Sequence, residues 1–170
     1  MKQIDLLEKL QATDAKSLTF TAGKSYYWSP KDKTVFYQET DKSPVGLWTL
    51  LHETCHGLLD HTSYQSDFEL VMLEVDAWEK ALELAVQLNN ESGIMNKEAE
   101  KNSSGLIYID QDHVQDCLDS YRDWQYKRSL CPRCELGGIQ IDPRTYSCMF
   151  CNDTWKVSAA RFCRPYRMKS

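Results

Sequence analysis

The sequence predicts an α+β protein in which a domain with two main helices and a small antiparallel sheet precedes a cysteine-rich module. Apolar residues with helical spacing indicate the two helices, at about 44–60 and 66–90. Two short runs of aromatic and β-branched residues, 25–28 and 34–38, flank a turn that contains Pro and indicate a hairpin. Two C-x2-C pairs near the end of the chain indicate the cysteine-rich module.

The remaining elements follow from the same patterns. Residues 2–11 are expected to form a short amphipathic helix, and an apolar stripe after Asp110 predicts a further helix to about 127. Residues 91–104 are polar and are expected to form a loop, whereas 106–109 could be one short strand. Ser43-Pro44 supplies an N-cap and a first-turn Pro for the helix at 44–60.

Length and composition restrict the class of protein. The chain has 170 residues, of which 42% are hydrophobic and 26% charged, a composition typical of globular proteins with a core. No window approaches the roughly 20 apolar residues of a membrane-spanning helix. The first residues carry acids where an export signal needs an apolar run, so we expect a cytoplasmic protein with no membrane contact.

Charge is unevenly distributed and suggests where the modules divide. Residues 1–125 hold 11 basic and 22 acidic side chains, whereas residues 126–170 hold 9 basic and 3 acidic ones. Together with the element pattern, this predicts a main domain at 1–127, a cysteine module at 128–158 and a basic tail at 159–170. The basic end could bind nucleic acid, or it could dock on the acidic body of its own chain.

His52-Glu53-Thr54-Cys55-His56 is an H-E-x-x-H motif inside an otherwise apolar helix. Side chains at i and i+4 lie one turn apart, so His52 and His56 can reach one metal ion. Glu53 lies about 100° further round the helix, near enough to act on a water that the metal holds. The pattern predicts two imidazoles binding Zn²⁺, with Glu53 as the general base and acid of hydrolysis.

A catalytic zinc needs a third protein ligand. His61 follows the motif by five residues and is expected to point away from the pair and to stabilise the C-terminus of the helix. Of the acids on the second long helix, Glu74 is favoured because its neighbours are apolar and two alanines further on allow close helix approach. The alternative is that Glu74 is a solvated surface acid. Asp76 could accept a hydrogen bond from a ligand imidazole.

The segments 50–61 and 73–78 together resemble a known enzyme family. Their sequences, LLHETCHGLLDH and LEVDAW, are similar to those of the ImmA/IrrE-type metallopeptidases, in which H-E-x-G-H-x-L-L-x-H precedes E-x-x-A. The resemblance implies a zincin-like, gluzincin-type domain with His52, His56 and Glu74 as zinc ligands and Glu53 as the catalytic residue. The aromatic hairpin fits too, because zincins present an edge strand to an extended substrate.

The resemblance covers residues 25–90 and departs from the family at Cys55, where Gly is usual. The SprT-like proteases often carry H-E-x-C-H and a trailing zinc ribbon, as this chain does. Their third histidine, in an H-G-x-x-W context, is absent here. The Glu-ligand class therefore ranks first and the SprT-like class second.

The cysteine module has the spacing of a zinc ribbon, with Cys131, Cys134, Cys148 and Cys151 as the expected ligands. Four thiolates close the coordination shell, so this zinc is expected to be structural. The sequence thus predicts two zinc ions per chain and a metallopeptidase acting on a protein or peptide substrate. The alternative is a non-catalytic zinc protein that binds a protein or nucleic-acid partner through its ribbon.

Overall fold

The computed structural model describes residues 2–12, 15–91 and 105–159. The polar segment 92–104 and all but the first residue of the tail at 159–170 lie outside these ranges. None of the described helices is long and apolar enough to cross a membrane. The elements, in chain order, are α1 (Gln3–Ala12), β1 (Thr19–Ala22), β2 (Tyr27–Ser29), β3 (Thr34–Tyr37), α2 (Pro44–Leu58), α3 (Asp67–Glu91), α4 (Gln111–Ser129), β4 (Gly138–Asp142), β5 (Thr145–Cys148) and β6 (Thr154–Lys156).

The first sheet has the strand order β1-β3-β2 and is mixed, which corrects the antiparallel sheet expected from the sequence. The predicted hairpin is present, with Trp28 opposite Val35 in the antiparallel β2–β3 pair. The additional strand β1 runs parallel to β3, with Phe20 opposite Val35. Because it is short and mostly exposed, β1 offers little hydrophobic pattern to sequence analysis.

Helix α2 begins as the sequence predicts. The side chain of Ser43 accepts a hydrogen bond from the backbone N of Gly46, and Pro44 occupies the first helical position. A Cβ on Gly46 would lie 2.5 Å from Asp41 and 2.6 Å from the Tyr26 hydroxyl, so a larger residue would displace these two side chains. Glycine therefore allows the start of the helix to approach both side chains closely.

Contacts divide the chain into two compact units, 1–62 with 76–109 and 63–75 with 110–170. In the first unit, apolar side chains of the helices and of β3 form the core: Leu6, Leu10, Val35, Leu50, Leu51, Ala77, Ala81 and Leu84. In the second unit, the core is made by residues of α4 and of the cysteine module, including Trp124 and Tyr146. The boundaries expected from the sequence, 1–127 and 128–158, remain predictions.

The short strand expected at 106–109 is absent. The side chain of Asn89 instead forms hydrogen bonds with both backbone groups of Ile107. It accepts from the backbone N at 2.9 Å and donates to the backbone O at 2.8 Å. Ile107 and Ile109 are buried, so the apolar pattern reflects burial and not strand pairing. An amide side chain replaces the partner strand, which no local pattern indicates.

In the second unit, a buried ion pair joins the start of α3 to the end of α4. Asp67 is the first residue of α3, and its carboxylate accepts from Arg128 Nε at 2.5 Å and from the Tyr146 hydroxyl at 2.8 Å. The backbone N of Asp67 donates to Gln140 Oε1 at 2.8 Å. Burial and the hydrogen bond to Asp67 raise the pKa of Tyr146, which keeps its hydroxyl protonated as a donor.

We expect Arg128→Met to destabilise the second unit by about 3–5 kcal/mol, because it leaves the carboxylate of Asp67 buried without its cation. Arg122→Met is the matched control, since Arg122 forms a half-exposed pair with Asp119 on the same helix and such pairs contribute little. Urea unfolding of both variants gives the comparison. Equal loss in the two variants would contradict a structural role for the buried pair.

Candidate metal centres

Helix α2 carries the two histidines of the motif on one face. His52 Nε2 and His56 Nε2 lie 3.1 Å apart, and the rings meet edge to face. His52 is 5% exposed, whereas His56 is partly buried. The spacing of one helical turn therefore brings the two imidazoles together as the sequence predicts.

Glu74 of α3 is buried, with 3% exposure, so it is not the solvated acid of the alternative interpretation. The ligand atoms that Glu74, His52 and His56 offer all lie within 4.8 Å of one another. One turn further along α3, the ring of Trp78 stacks on His52, with centroids 4.2 Å apart and an interplanar angle of 23°. This aromatic stack restricts the rotation of the His52 imidazole.

The donor set fits a metal ion. Two imidazole nitrogens and a carboxylate are a ligand combination found in catalytic zinc sites. Close approach of these polar groups in an otherwise apolar interior is costly unless something polar compensates them, and a cation does so. The group could therefore hold a metal ion, for which His52, His56 and Glu74 would be the ligands.

Glu53 is held by the edge strand β2. Its Oε2 accepts a hydrogen bond of 2.8 Å from the backbone N of Trp28. The bond uses one carboxylate oxygen and fixes the side chain next to His52 in the helix. A single main-chain donor on a strand thus orients the carboxylate that the motif predicts as the general base.

The end of α2 differs from the expected course. The helix stops at Leu58, and Asp60 adopts a left-handed conformation with φ of 52°. The backbone N of Asp60 donates to Gly57 O and that of His61 to His56 O, the bonding pattern of a Schellman motif. His61 therefore turns back toward the helix, and its Nδ1 lies 2.8 Å from His56 Nδ1.

This turn corrects the expectation that His61 points away from the pair. Extrapolating 100° per residue fails because the helix has already ended. Asp76, considered from the sequence as a hydrogen-bond partner of a ligand imidazole, is exposed on α3. The partner at His56 is another histidine, brought there by the left-handed conformation of Asp60, which the sequence signals only weakly.

The four cysteines of the module also come together. The Sγ atoms of Cys131 and Cys151 are 3.6 Å apart, those of Cys134 and Cys148 are 3.5 Å apart, and all four lie within 4.8 Å. No disulfide joins any cysteine in the described residues. This four-cysteine cluster could hold a zinc ion with a closed shell.

The two C-x2-C pairs have the same backbone geometry. The residue that follows each pair is left-handed, with φ of 59° at Glu135 and 57° at Asn152. The residue after each left-handed one accepts a hydrogen bond from the first cysteine of the pair. The backbone N of Cys131 donates to Leu136 O, and the backbone N of Cys148 donates to Asp153 O. Each C-x2-C pair therefore forms a tight turn closed by a backbone hydrogen bond, which we call a knuckle.

Backbone N–H groups point at the sulfurs of these knuckles. The N of Arg133 lies 3.4 Å from Cys131 Sγ, and the N of Phe150 lies 3.4 Å from Cys148 Sγ. Hydrogen bonds from the backbone of Cys151 and Phe150 lower the pKa of the Cys148 thiol to about 6. Because metals bind the thiolate, these two backbone donors favour the metal-binding form of Cys148.

Comparison with protein families, with curated proteins and with solved structures found no match to the chain. The resemblance to ImmA/IrrE-type and SprT-like proteases therefore rests on the short motifs alone. The basic residues considered for nucleic-acid contact in the tail, Arg161, Arg164 and Arg167, lie outside the described residues.

We expect the purified protein to contain two zinc ions per chain and Glu74→Ala to lose one of them, because the variant removes a ligand from the histidine group only. Glu79→Ala, an exposed acid on the same helix, is the control and should retain both ions. Mass spectrometry of bound metal gives the count. Two tightly bound ions in Glu74→Ala would remove Glu74 from the ligand set.

The knuckles give a second prediction. Glu135→Gly should stabilise the second unit by about 0.5–1 kcal/mol, since a left-handed conformation strains a residue with a Cβ and suits glycine. Asn152→Gly is the matched variant at the equivalent position, where the gain should be smaller because Asn tolerates this conformation better. Thermal unfolding of the zinc-loaded variants measures both, and a larger gain at Asn152 would contradict the argument.

Proposed function

We propose that this protein is a zinc-dependent metallopeptidase that hydrolyses peptide bonds in the cytoplasm. The observation that carries the proposal is the group formed by His52, His56 and Glu74, together with Glu53 next to it in the same helix. These three residues would hold the ion and would leave it accessible to water or substrate, as catalytic sites require. The free thiols of the described cysteines are consistent with a reducing compartment.

The chemistry divides between the metal and the chain. When bound, Zn²⁺ acidifies a water molecule to a pKa around 7 and acts as a Lewis acid toward a carbonyl group. His52, His56 and Glu74 would hold the ion in place. Glu53 accepts the proton of the attacking water and delivers it to the leaving amine, and the hydrogen bond from Trp28 keeps its carboxylate oriented for both transfers.

The identity of the third ligand favours the Glu-ligand class over the SprT-like class. A SprT-like site would need a third histidine as ligand. His61 contacts the far side of His56, and the ring of His113 lies 3.5 Å from the sulfur of Cys117 on α4. Among the described residues, Glu74 is the group that completes a set with the histidine pair.

We expect Glu53→Gln to retain both zinc ions and to lose activity by about 10²–10⁴-fold, because the amide keeps the shape of the side chain but cannot accept the proton. Cleavage of a fluorogenic peptide library of mixed sequence measures activity, and metal analysis measures zinc. Glu8→Gln, an exposed acid on α1, is the control. A library that the zinc-loaded wild type leaves uncleaved, or cleavage by Glu53→Gln at the wild-type rate, would reject the proposed reaction.

The second candidate is a non-catalytic zinc protein that recruits a protein or nucleic acid through its ribbon. Exposed apolar side chains on the ribbon favour a contact surface there: Ile139, Ile141, Met149 and Phe150. The two candidates differ in what Glu53 does. A recruiting module has no use for a carboxylate held at the motif position of a general base, so the enzyme is our first proposal.

A further inference from the structure

His56 makes a different contact with each of its two ring nitrogens. Its Nε2 lies 3.1 Å from His52 Nε2, and its Nδ1 lies 2.8 Å from His61 Nδ1. A neutral imidazole carries one proton, so one nitrogen donates and the other offers a lone pair. Which nitrogen carries the proton decides whether Nε2 can bind a metal.

We propose that His61 is a positioning residue that fixes His56 in the tautomer competent for metal binding; this inference rests on the metal site of the proposed function. His61 Nδ1 accepts a hydrogen bond from His56 Nδ1–H, which leaves the lone pair of His56 Nε2 directed toward the ligand group. Histidine ligands of metals usually donate their second N–H to a carboxylate or a carbonyl, and such partners orient the ring and raise its basicity. Here an imidazole takes that place.

The geometry around His61 holds it in position for this role. Its backbone N donates to His56 O at 2.9 Å, and its backbone O accepts from the indole Nε1 of Trp28 at 2.8 Å. The rings of His56 and His61 are inclined at 66° with centroids 5.0 Å apart, so they meet edge to face and do not stack. The acceptor nitrogen is thus anchored through the main chain on both sides.

Trp28 connects this anchor to the catalytic carboxylate. Its backbone N donates to Glu53, and its indole N donates to His61. A substitution at this position that keeps the main chain can therefore loosen His61 without removing the hydrogen bond to Glu53. Trp28→Phe is such a substitution, because it removes the indole donor and keeps an aromatic ring and the main-chain N–H.

The alternative is that His61 is itself a metal ligand. Its Nδ1 faces the Nδ1 of His56, on the opposite side of that ring from the nitrogen that meets His52. In the part of the chain that the structure describes, the group formed around the histidine pair contains Glu74 and does not contain His61. A positioning role fits this arrangement, whereas a ligand role would require the ring to move.

The experiment compares four variants of the full chain. His61→Leu removes the acceptor, and His61→Asn retains an acceptor oxygen near the position of Nδ1. Trp28→Phe weakens the anchor, and Trp155→Phe is its matched control, because the Trp155 indole likewise donates to a backbone oxygen, that of Arg128, at 3.0 Å. Circular dichroism and retention of the zinc at the four-cysteine cluster establish that each variant is folded.

The first measurement needs no metal at the histidine group. Nitrogen-15 NMR reads the tautomer of each neutral histidine ring in protein loaded only at the four-cysteine cluster. We expect His56 to carry its proton on Nδ1 in the wild type and in His61→Asn, and to shift toward the Nε2–H form in His61→Leu. A wild-type His56 protonated on Nε2 would overturn the inference.

The second measurement is the affinity of the histidine group for Co²⁺, followed by its visible absorption. We expect His61→Leu to bind about 10–100-fold more weakly, as for other lost partners of ligand histidines, and His61→Asn to recover most of this affinity. Trp28→Phe should lose about 3–10-fold, the effect of one neutral hydrogen bond, and Trp155→Phe should bind as the wild type does.

The outcomes separate the inference from the proposed function. Unchanged affinity and an unchanged cobalt spectrum in His61→Leu would overturn the role of His61 and leave the metal site intact. A wild type that binds no Co²⁺ outside the four-cysteine cluster would overturn both. Tight, His61-dependent binding without peptide cleavage would support the inference and reject the peptidase.

Discussion

The structure depends on a cluster of polar side chains placed where the chain is otherwise apolar. His52 and Glu74 are almost completely buried, next to core residues such as Leu51 and Ala77. Buried polar groups destabilise a fold unless they are paired, and a cation bound by the carboxylate and the two imidazoles would interact favourably with all three. The surrounding contacts, among them the stack of Trp78 on His52, serve to fix these groups in one arrangement.

The cysteine module solves a different physical problem. Strands β4, β5 and β6 are three to five residues long, and two apolar side chains of β4, Ile139 and Ile141, are exposed. A sheet of this size has too little core to fold alone, and a metal held by the four sulfurs would supply much of the missing stability. Through Tyr146 and Gln140, the same strands hold Asp67, the residue at which α3 begins. Since Glu74 lies two turns further along that uninterrupted helix, the module helps to set the start of the element that carries it.

Sequence reasoning succeeded where chemistry follows from local spacing. The cap at Ser43, the i and i+4 histidines and the paired cysteines each depend on a few neighbouring residues, and each is found as expected. The burial of Glu74 also followed from its apolar neighbours. These features make up most of the two candidate metal groups.

The features that sequence reasoning missed depend on backbone conformations that the periodicity of apolar residues does not indicate. The left-handed residue Asp60 ends α2 early and returns His61 to the helix, although neither residue type signals such a turn strongly. Strand β1 pairs parallel to β3, a non-local choice that its four residues do not determine. The segment around Ile107 resembles a strand in composition, but its backbone hydrogen bonds are made with the side chain of Asn89 and not with another strand.

The hydrogen bond between Trp28 and Glu53 has a consequence for the solubility of the chain. Strand β2 lies at the edge of its sheet, and an edge amide that faces outward can recruit a strand from another molecule. The carboxylate of Glu53 already occupies the amide of Trp28 and places a negative charge beside it. The carboxylate that the motif predicts as a general base therefore also covers one amide of the sheet edge against intermolecular pairing.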